Sequence, residues 1–126
     1  QKDVDLNISI HFNSGANDSR GNGKTTGTEV YVRPVQGDNS KLAKTLKTDK
    51  GDIAKRICNQ MSKLGFRNRG VKASSSLYVL NQTKAPAVLI EVCFVDDKDD
   101  ADLYKRNEDA VARAILNAVL NHNKKC

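Results

Sequence analysis

The sequence predicts a single α/β domain, with a mostly parallel twisted sheet that is flanked by helices on both faces. Segments with the two-residue apolar period of strands alternate along the chain with segments that have the helical period of about 3.6 residues. Residues 87–95 form the most apolar run, which is typical of a central parallel strand that is covered on both faces. The length of 126 residues suits one domain with its own core.

The first strand is predicted at residues 4–13, where apolar and polar side chains alternate as in a strand with one buried face. The apolar face consists of Val4, Leu6, Ile8, Ile10 and Phe12. The polar face ends in His11 and Asn13, just before residues 13–26, whose glycines and asparagines predict a mobile surface loop. In open α/β sheets, side chains at the carboxyl ends of strands face the crevice in which ligands bind. His11 is therefore a candidate site residue.

A second strand and a short helix are expected next. Residues 27–33 have the composition of a strand, and Pro34 stops it. The polar segment 35–52 is expected to contain a short helix near residues 40–46 and a break around Gly51.

A longer helix is predicted from apolar positions that are spaced by four, four and three residues. These positions are Ile53, Ile57, Met61 and Leu64. Asp52 is expected to cap the start of this helix, and Gly65 is expected to end it. A basic connection at residues 67–72 then leads to a short predicted strand at residues 77–80.

Glu91 interrupts the apolar run 87–95. An unpaired buried carboxylate is costly, so Glu91 is expected to be paired, protonated or bound near a metal, or else to lie at a solvated strand end. The alternatives for His11 are a metal ligand and an exposed or hydrogen-bonded histidine. Because both residues lie near the carboxyl ends of predicted parallel strands, we expect them to reach the same crevice.

The C-terminal part of the chain is predicted to be helical. The acidic segment 96–102 predicts a turn and the start of a short helix, and Asn107 is expected to cap the last helix. The apolar stripe of that helix comprises Val111, Ile115, Ala118 and His122. At the end of such a stripe, packing or contact with the helix dipole explains His122 better than metal ligation does.

Composition limits the classes of function. The net charge of +6 favours an anionic partner, such as a nucleic acid, a membrane surface or a cell-wall polymer. Aromatic residues make up 5% of the chain, too few for an obvious base-stacking surface. No apolar run approaches the roughly 20 residues of a membrane-spanning helix, and no signal peptide is visible in this chain. The three cysteines lack a Cys-x-x-Cys pair, so Cys58 and Cys93 are expected to be buried thiols.

Four segments of the sequence carry a resemblance to a known family. In chain order they are ISIHFN (8–13), GTEVY (27–31), LYVL (77–80) and PAVLIEVCFVD (86–96). In this order they resemble the zinc-dependent N-acetylmuramoyl-L-alanine amidases, which include cell-separation amidases and the catalytic domains of phage endolysins. The resemblance covers nearly the whole chain and implies the amidase type of α/β fold.

The resemblance implies particular roles for two residues. His11 matches a zinc ligand of the family, and Glu91 matches the catalytic acid/base. The reaction implied is hydrolysis of the amide bond between N-acetylmuramic acid and L-alanine in bacterial peptidoglycan. It would take place on the cell wall, at its extracellular or periplasmic face or after release at phage lysis. Neither nucleic-acid binding nor membrane insertion is implied.

Three polar residues are further candidates. Asn13 lies two residues beyond His11 on the same strand face and is a candidate substrate contact. Asn81 follows the predicted strand at residues 77–80 and is a second candidate substrate contact. For both asparagines the alternative is turn chemistry. Glu29 is expected to be a structural partner within the sheet.

The sequence departs from the family in its zinc ligands. The other two ligands of the family, a histidine and a glutamate, precede the histidine block by several dozen residues, whereas ten residues precede His11. A catalytic zinc site normally has three protein ligands and one open position. We therefore expect residues 1–126 to be an amidase catalytic domain that lacks its first strand–helix–strand segment.

Two rival interpretations follow from the same residues. The first is a catalytically incomplete fragment that binds peptidoglycan without cleaving it. The second is a basic nucleic-acid-binding domain, which the scarcity of aromatic residues and the lack of a binding motif disfavour.

Overall fold

A four-stranded sheet forms the centre of the protein, in a computed structural model that describes residues 5–81 and 85–121. Its strands are β1 (Asn7–Asn13), β2 (Thr28–Val32), β3 (Asn68–Ala73) and β4 (Ala87–Phe94). The spatial order is β1-β4-β2-β3. The pairs β1–β4 and β2–β3 are parallel, and β2–β4 is antiparallel. The predicted α/β class is confirmed, and the sheet is mixed, with two of its three strand pairings parallel.

Helices lie on both faces of this sheet, as predicted. They are α1 (Leu42–Thr45), α2 (Asp49–Lys63), α3 (Tyr78–Asn81), α4 (Lys98–Arg106) and α5 (Glu108–Leu120), with 3-10 turns at Val35–Gly37 and Asn39–Lys41. The main core lies between one sheet face and α2 and α5, and it includes Ile57, Ile90 and Ile115. A smaller cluster on the other face joins Leu80 of α3 to Leu89 of β4. None of the helices in the described parts of the chain combines the length and the apolar character needed to cross a membrane.

The prediction that the apolar face of β1 is buried is wrong for three of its side chains. Ile8, Ile10 and Phe12 are 38%, 55% and 41% exposed, although they lie on the sheet face that α2 and α5 cover elsewhere. The physical reason is position, because β1 is an edge strand, whereas α2 packs over β2, β3 and β4 and α5 packs against α2. Val4, the first residue of the predicted strand, lies outside the described residues.

Residues 77–80 do not form the predicted strand. Residues 78–80 instead belong to α3, where the amides of Leu80 and Asn81 both donate to the carbonyl oxygen of Leu77. A run of four apolar residues does not distinguish a strand from a helical turn by its periodicity. The fourth strand of the sheet is instead β3, which lies in the segment for which the sequence predicts a basic connection.

Two helix starts also differ from prediction. Thr48 caps α2, because its hydroxyl accepts a hydrogen bond from the amide of Gly51, whereas Asp52 lies inside the helix. Gly51 does not break the helix; it is buried there, and a Cβ at this position would clash with the carbonyl oxygen of Thr45. At the start of α5, the side chain of Asn107 donates to the carbonyl of Leu103 instead of capping the helix.

Other helix predictions are confirmed. The α2 stripe is buried at Ile53, Ile57 and Met61, and Gly65 follows its end with a φ of 107°. The α5 stripe is buried at Val111, Ala114, Ile115 and Ala118, while His122 and Cys126 lie outside the described residues. Cys58 and Cys93 are buried free thiols, and burial raises the pKa of Cys58 to about 11 and that of Cys93 to about 12.

Candidate active site

Three polar side chains form a row across the sheet, on the face opposite the main core. His11 of β1 pairs in register with Glu91 of β4, and Glu91 pairs in register with Glu29 of β2. Register partners on neighbouring strands point to the same side of a sheet and lie about 5 Å apart. The structure therefore brings together His11 and Glu91, which are 80 positions apart in the sequence.

His11 presents an exposed imidazole at the edge of this row. Its Nε2 atom lies 2.8 Å from the hydroxyl oxygen of Ser9, which is two residues earlier on the same strand face. This contact fixes the direction of the ring. Because β1 is the edge strand, the imidazole is open to groups that approach from outside the sheet.

Glu91 occupies the middle of the row and is partly buried. Burial raises the pKa of its carboxyl above the ordinary value, the nearby His11 opposes this shift, and the negative charge of Glu29 adds to it. A carboxyl with a raised pKa takes up and releases protons closer to neutral pH than an exposed glutamate does. This is the property that a general acid/base requires.

Glu29 is 5% exposed and is surrounded by donors. Its Oε1 atom accepts hydrogen bonds from Asn13 Nδ2 and from the Tyr31 hydroxyl, each at 3.1 Å. Its Oε2 atom lies 3.2 Å from Arg69 Nε and 3.1 Å from Lys72 Nζ. Burial alone would raise the pKa of Glu29, but hydrogen bonds and charge from Lys72 and Arg69 outweigh it and hold the pKa below its usual value.

The two neighbouring glutamates therefore differ in their titration. Glu29 is held ionised by its two cationic partners, and its fixed charge helps to keep the pKa of Glu91 high. Two carboxylates whose surroundings move their pKa values in opposite directions are typical of acid/base sites. Within this pair, Glu91 is the proton-transferring candidate and Glu29 is the charged structural partner that the sequence suggested.

A β-bulge in β3 explains how two cations reach one carboxylate. Arg69 and Lys72 are three residues apart, a spacing that would put them on opposite faces of a regular strand. The pairing of β2 with β3 advances two residues on β2, from Thr28 to Val30, and three residues on β3. Gly70 lies within this extra step and has a φ of 88°, which a glycine adopts without strain.

A second bulge follows Glu91 directly. The pairing advances from His11 to Asn13 on β1, and from Glu91 to Phe94 on β4. Bulges occur often beside active sites, where they change the direction of side chains and of the following chain. Here the bulge separates the row of polar residues from the turn that leads into α4.

The two candidate substrate contacts lie in different places. Asn13 is adjacent to the row, but its amide already donates to Glu29 and its Oδ1 atom accepts from the amide of Ser14. Asn81 is bound to Arg33 and to the carbonyl of Ser75, near the end of β2. Because β2 and β4 are antiparallel, that end of β2 lies beside the start of β4, several residues from Glu91.

The described residues do not complete a zinc site around His11. It is the only histidine in residues 5–81 and 85–121, and the one close group of three potential ligands found there does not include it. A catalytic zinc site normally has three protein ligands. Among the described residues, His11 with Glu91 beside it falls short of that number.

Sequence reasoning missed the two cationic partners of Glu29. Arg69 and Lys72 were assigned to a connection, because a short strand with a bulge loses the alternation by which strands are recognised. Gly70 between them was the available signal, since an isolated glycine within a strand pattern often marks a bulge.

Comparison with known proteins identifies the family that this chain resembles. The sequence profile of the family described as N-acetylmuramoyl-L-alanine amidase matches residues 1–121. An endolysin of Bacillus phage SPP1 is 37% identical over 104 residues, which are 82% of this chain and 34% of that protein. The N-acetylmuramoyl-L-alanine amidase LytC of Bacillus subtilis is 34% identical over 123 residues, which are 94% of this chain and 22% of that protein.

A solved structure shows the same likeness in three dimensions. The catalytic domain of an endolysin that targets Clostridium difficile superposes with a TM-score of 0.71 and 34% identity. The match covers 98% of this chain and 58% of that structure. The chain thus spans less than two-thirds of the length of each of these relatives.

Proposed function

Because this chain belongs to the N-acetylmuramoyl-L-alanine amidase family, we propose that it is part of an enzyme that cleaves bacterial peptidoglycan. The bond cleaved is the amide between N-acetylmuramic acid and L-alanine of the peptide stem. The observation that carries this proposal is the placement of the half-buried Glu91 carboxyl, with its raised pKa, directly beside His11.

In this proposal Glu91 moves the protons of the reaction. Its carboxylate takes a proton from the water whose oxygen attacks the carbonyl carbon of the lactyl group. When the carbon–nitrogen bond breaks, Glu91 returns that proton to the departing amine of L-alanine. Burial and, to a lesser extent, the charge of Glu29 keep the pKa of Glu91 high, and Asn13 links the end of β1 to Glu29.

We assign zinc dependence to the complete catalytic domain. His11 is the ligand that this chain contributes, and the remaining ligands come from residues other than the described ones. The same proposal makes residues 1–126 a catalytic domain without its first strand–helix–strand segment. The exposed apolar side chains of β1 support it, because Ile8, Ile10 and Phe12 continue the sheet face that the core buries elsewhere.

Peptidoglycan is the partner in this proposal, and the site of action is the cell wall. The net charge of +6 favours approach to an anionic wall. Asn13 and Asn81 stay as predicted contacts to the substrate. For Asn13 the structure adds a positioning role, since its amide group is already bonded to Glu29.

The reaction is tested by identifying the products that the full-length protein releases from purified cell walls. We expect new free amino groups on L-alanine to appear, without a matching increase in reducing sugar ends. Release of reducing ends would instead show cleavage between sugars, and new amino groups on other residues would show cleavage within the peptide stem. Either result would overturn the assignment of the bond.

The zinc proposal is tested by calorimetric titration of metal-free protein. The 126-residue chain is expected to bind zinc weakly or not at all, because a lone histidine beside a glutamate is a poor site. The full-length protein is expected to bind one zinc ion tightly. Tight one-to-one binding by the 126-residue chain would show that it holds a full set of ligands, and it would contradict the proposed missing segment.

A second candidate function is a peptidoglycan-binding fragment without catalysis. The incomplete set of zinc ligands among the described residues favours it for the chain in isolation. The two candidates differ in the expected effect of replacing Glu91, which only the enzyme requires.

A further inference from the structure

A separate cluster of carboxylates lies where the loop after β1 meets the turn between β4 and α4. Asp18 of the loop forms an isolated parallel bridge with Asp97 of the turn. The amide of Asp18 donates to the carbonyl of Asp96 at 3.0 Å, and the amide of Lys98 donates to the carbonyl of Asp18 at 2.9 Å. Two segments that are nearly 80 positions apart in the sequence are thereby joined through their main chains.

Three side chains converge at this junction. One carboxylate oxygen from each of Asp18, Asp97 and Asp99 lies within 4.8 Å of the other two. Asp18 is 7% exposed, Asp97 is fully buried and Asp99 is exposed. The loop closes tightly on this group, because a Cβ at Gly21 would lie 2.7 Å from Oδ1 of Asp99.

Asp97 supplies an independent sign of a ligand. Its Oδ2 atom accepts the amide of Asp100 at 2.8 Å and caps α4. Its Oδ1 atom is buried and has no hydrogen-bond partner among the described residues. A buried carboxylate oxygen without a donor or a cation is strongly unfavourable, so this atom must either carry a proton or contact a cation.

Asp18 is oriented by its own loop. Its Oδ1 and Oδ2 atoms accept hydrogen bonds from the amides of Gly21 and Asn22. These two bonds fix the direction of the Asp18 carboxylate at the junction.

We propose that Asp18, Asp97 and Asp99 bind a divalent cation of the calcium type, at a site distinct from the His11–Glu91 row. Oxygen-only ligands select hard cations such as Ca²⁺ over zinc. Ca²⁺ binds oxygens at about 2.4 Å, so the three oxygens, which all lie within 4.8 Å of one another, are close enough to contact one ion. Mg²⁺ demands near-ideal octahedral geometry and usually keeps several waters, whereas Ca²⁺ accepts irregular sets of carboxylate oxygens, so Ca²⁺ is the better match to this group.

The bound ion fastens the loop between β1 and β2 to the start of α4. This loop begins directly after Asn13, at the end of the strand that carries His11. A cation that links Asp18 to Asp97 and Asp99 adds to the main-chain bonds of the junction, and it orders the loop beside the candidate active site. The loop that the sequence predicted to be mobile is thus held at its centre.

The test uses the full-length protein after treatment with a chelator and dialysis. On titration with CaCl₂ we expect one ion to bind per chain, with an affinity in the micromolar to millimolar range. At saturating CaCl₂ the thermal unfolding midpoint is expected to rise. Cleavage by trypsin after Arg20 and Lys24, both in the loop, is expected to slow at least about tenfold. Absence of calcium binding and of protection from trypsin would overturn the proposal.

Variants identify the ligands. Asp99→Asn removes an exposed carboxylate, and this variant is expected to fold normally and to bind calcium at least about tenfold more weakly. Asp97→Asn is also expected to weaken calcium binding at least about tenfold. Asp109→Asn, which removes an exposed charge from the first turn of α5, is the matched control and should bind calcium normally. Calcium protection that persists in Asp99→Asn and Asp97→Asn would place the ion elsewhere. Glu91→Gln should retain the calcium effect, so failure of this site and failure of the proposed hydrolysis are separate outcomes.

Discussion

Replacing Glu91 by glutamine is expected to lower the rate of cell-wall hydrolysis by the full-length protein by about 10²–10⁴-fold, the usual contribution of general acid/base catalysis. Glutamine keeps the size and the hydrogen-bonding ability of the side chain, but it neither accepts nor returns the proton of the reaction. The loss should fall mainly on kcat, because Glu91 acts on the reacting atoms. The rate is measured as the release of L-alanine amino groups from purified walls.

The stability of the Glu91→Gln variant separates catalysis from folding. A glutamate whose pKa is raised in the folded protein binds a proton more tightly there than in the unfolded chain. Its charged form therefore opposes folding at neutral pH, and this cost disappears as the pH falls below the ordinary pKa of glutamate. We expect Glu91→Gln to be at least as stable as the wild type at pH 7, as measured by urea unfolding.

The same raised pKa predicts the acid side of the activity profile. General-base catalysis requires the ionised carboxylate, so activity should fall with decreasing pH at a higher pH than an exposed glutamate would give. In Glu91→Gln the residual activity should lose this acid limb. Glu108→Gln, an exposed position in the first turn of α5, is the control and should leave both the rate and the profile unchanged.

Unchanged wall hydrolysis in Glu91→Gln would remove the catalytic assignment and would leave Glu91 as a partly buried polar residue of the sheet. Hydrolysis that is undetectable in the wild type, combined with equal retention of both proteins on pelleted walls, would favour the binding fragment instead.

Replacing Asp100 by alanine is expected to lower the free energy of unfolding by about 2–5 kcal/mol, because two buried donors would lose their acceptor. The Oδ2 atom of Asp100 accepts the amides of Gly27 and Phe94, each at 2.8 Å, and the residue is 3% exposed. These bonds tie α4 to the chain just before β2 and to the end of β4. Urea unfolding followed by circular dichroism measures the loss.

Two further variants test the reason for that loss. Asp100→Asn retains an oxygen acceptor and is expected to lose less stability than Asp100→Ala. Asp102→Ala removes an exposed carboxylate that pairs with Lys98 on the same helix, and it should cost no more than about 1 kcal/mol. If Asp100→Ala and Asp102→Ala lose equal amounts, the two buried amides do not depend on Asp100.

Local patterns in the sequence were sufficient for a large part of the fold. The alternation before Asn13 and the apolar run around Glu91 gave β1 and β4, and the spacing of apolar residues gave α2 and α5. These predictions succeeded because strand and helix periods are properties of neighbouring residues. The same patterns placed His11 and Glu91 near strand ends, and the parallel pairing of β1 with β4 made them neighbours.

The remaining elements and the contacts between distant segments could not be predicted in the same way. Nothing local distinguished the helical turn of α3 from a strand, and the bulge at Gly70 hid β3 and the two cations that hold Glu29. The burial of Asp97 also depends on a loop that is distant in sequence.

The sequence by itself determined the class of the fold, the strands that carry His11 and Glu91, and the polar face of β1 on which His11 lies. The tertiary structure alone decided that Glu29 is ionised beside Glu91, that the apolar face of β1 is exposed, and that Asp18 meets Asp97. The physical reason is range: a period is set by adjacent residues, whereas burial and pKa depend on contacts between segments that are far apart in the sequence.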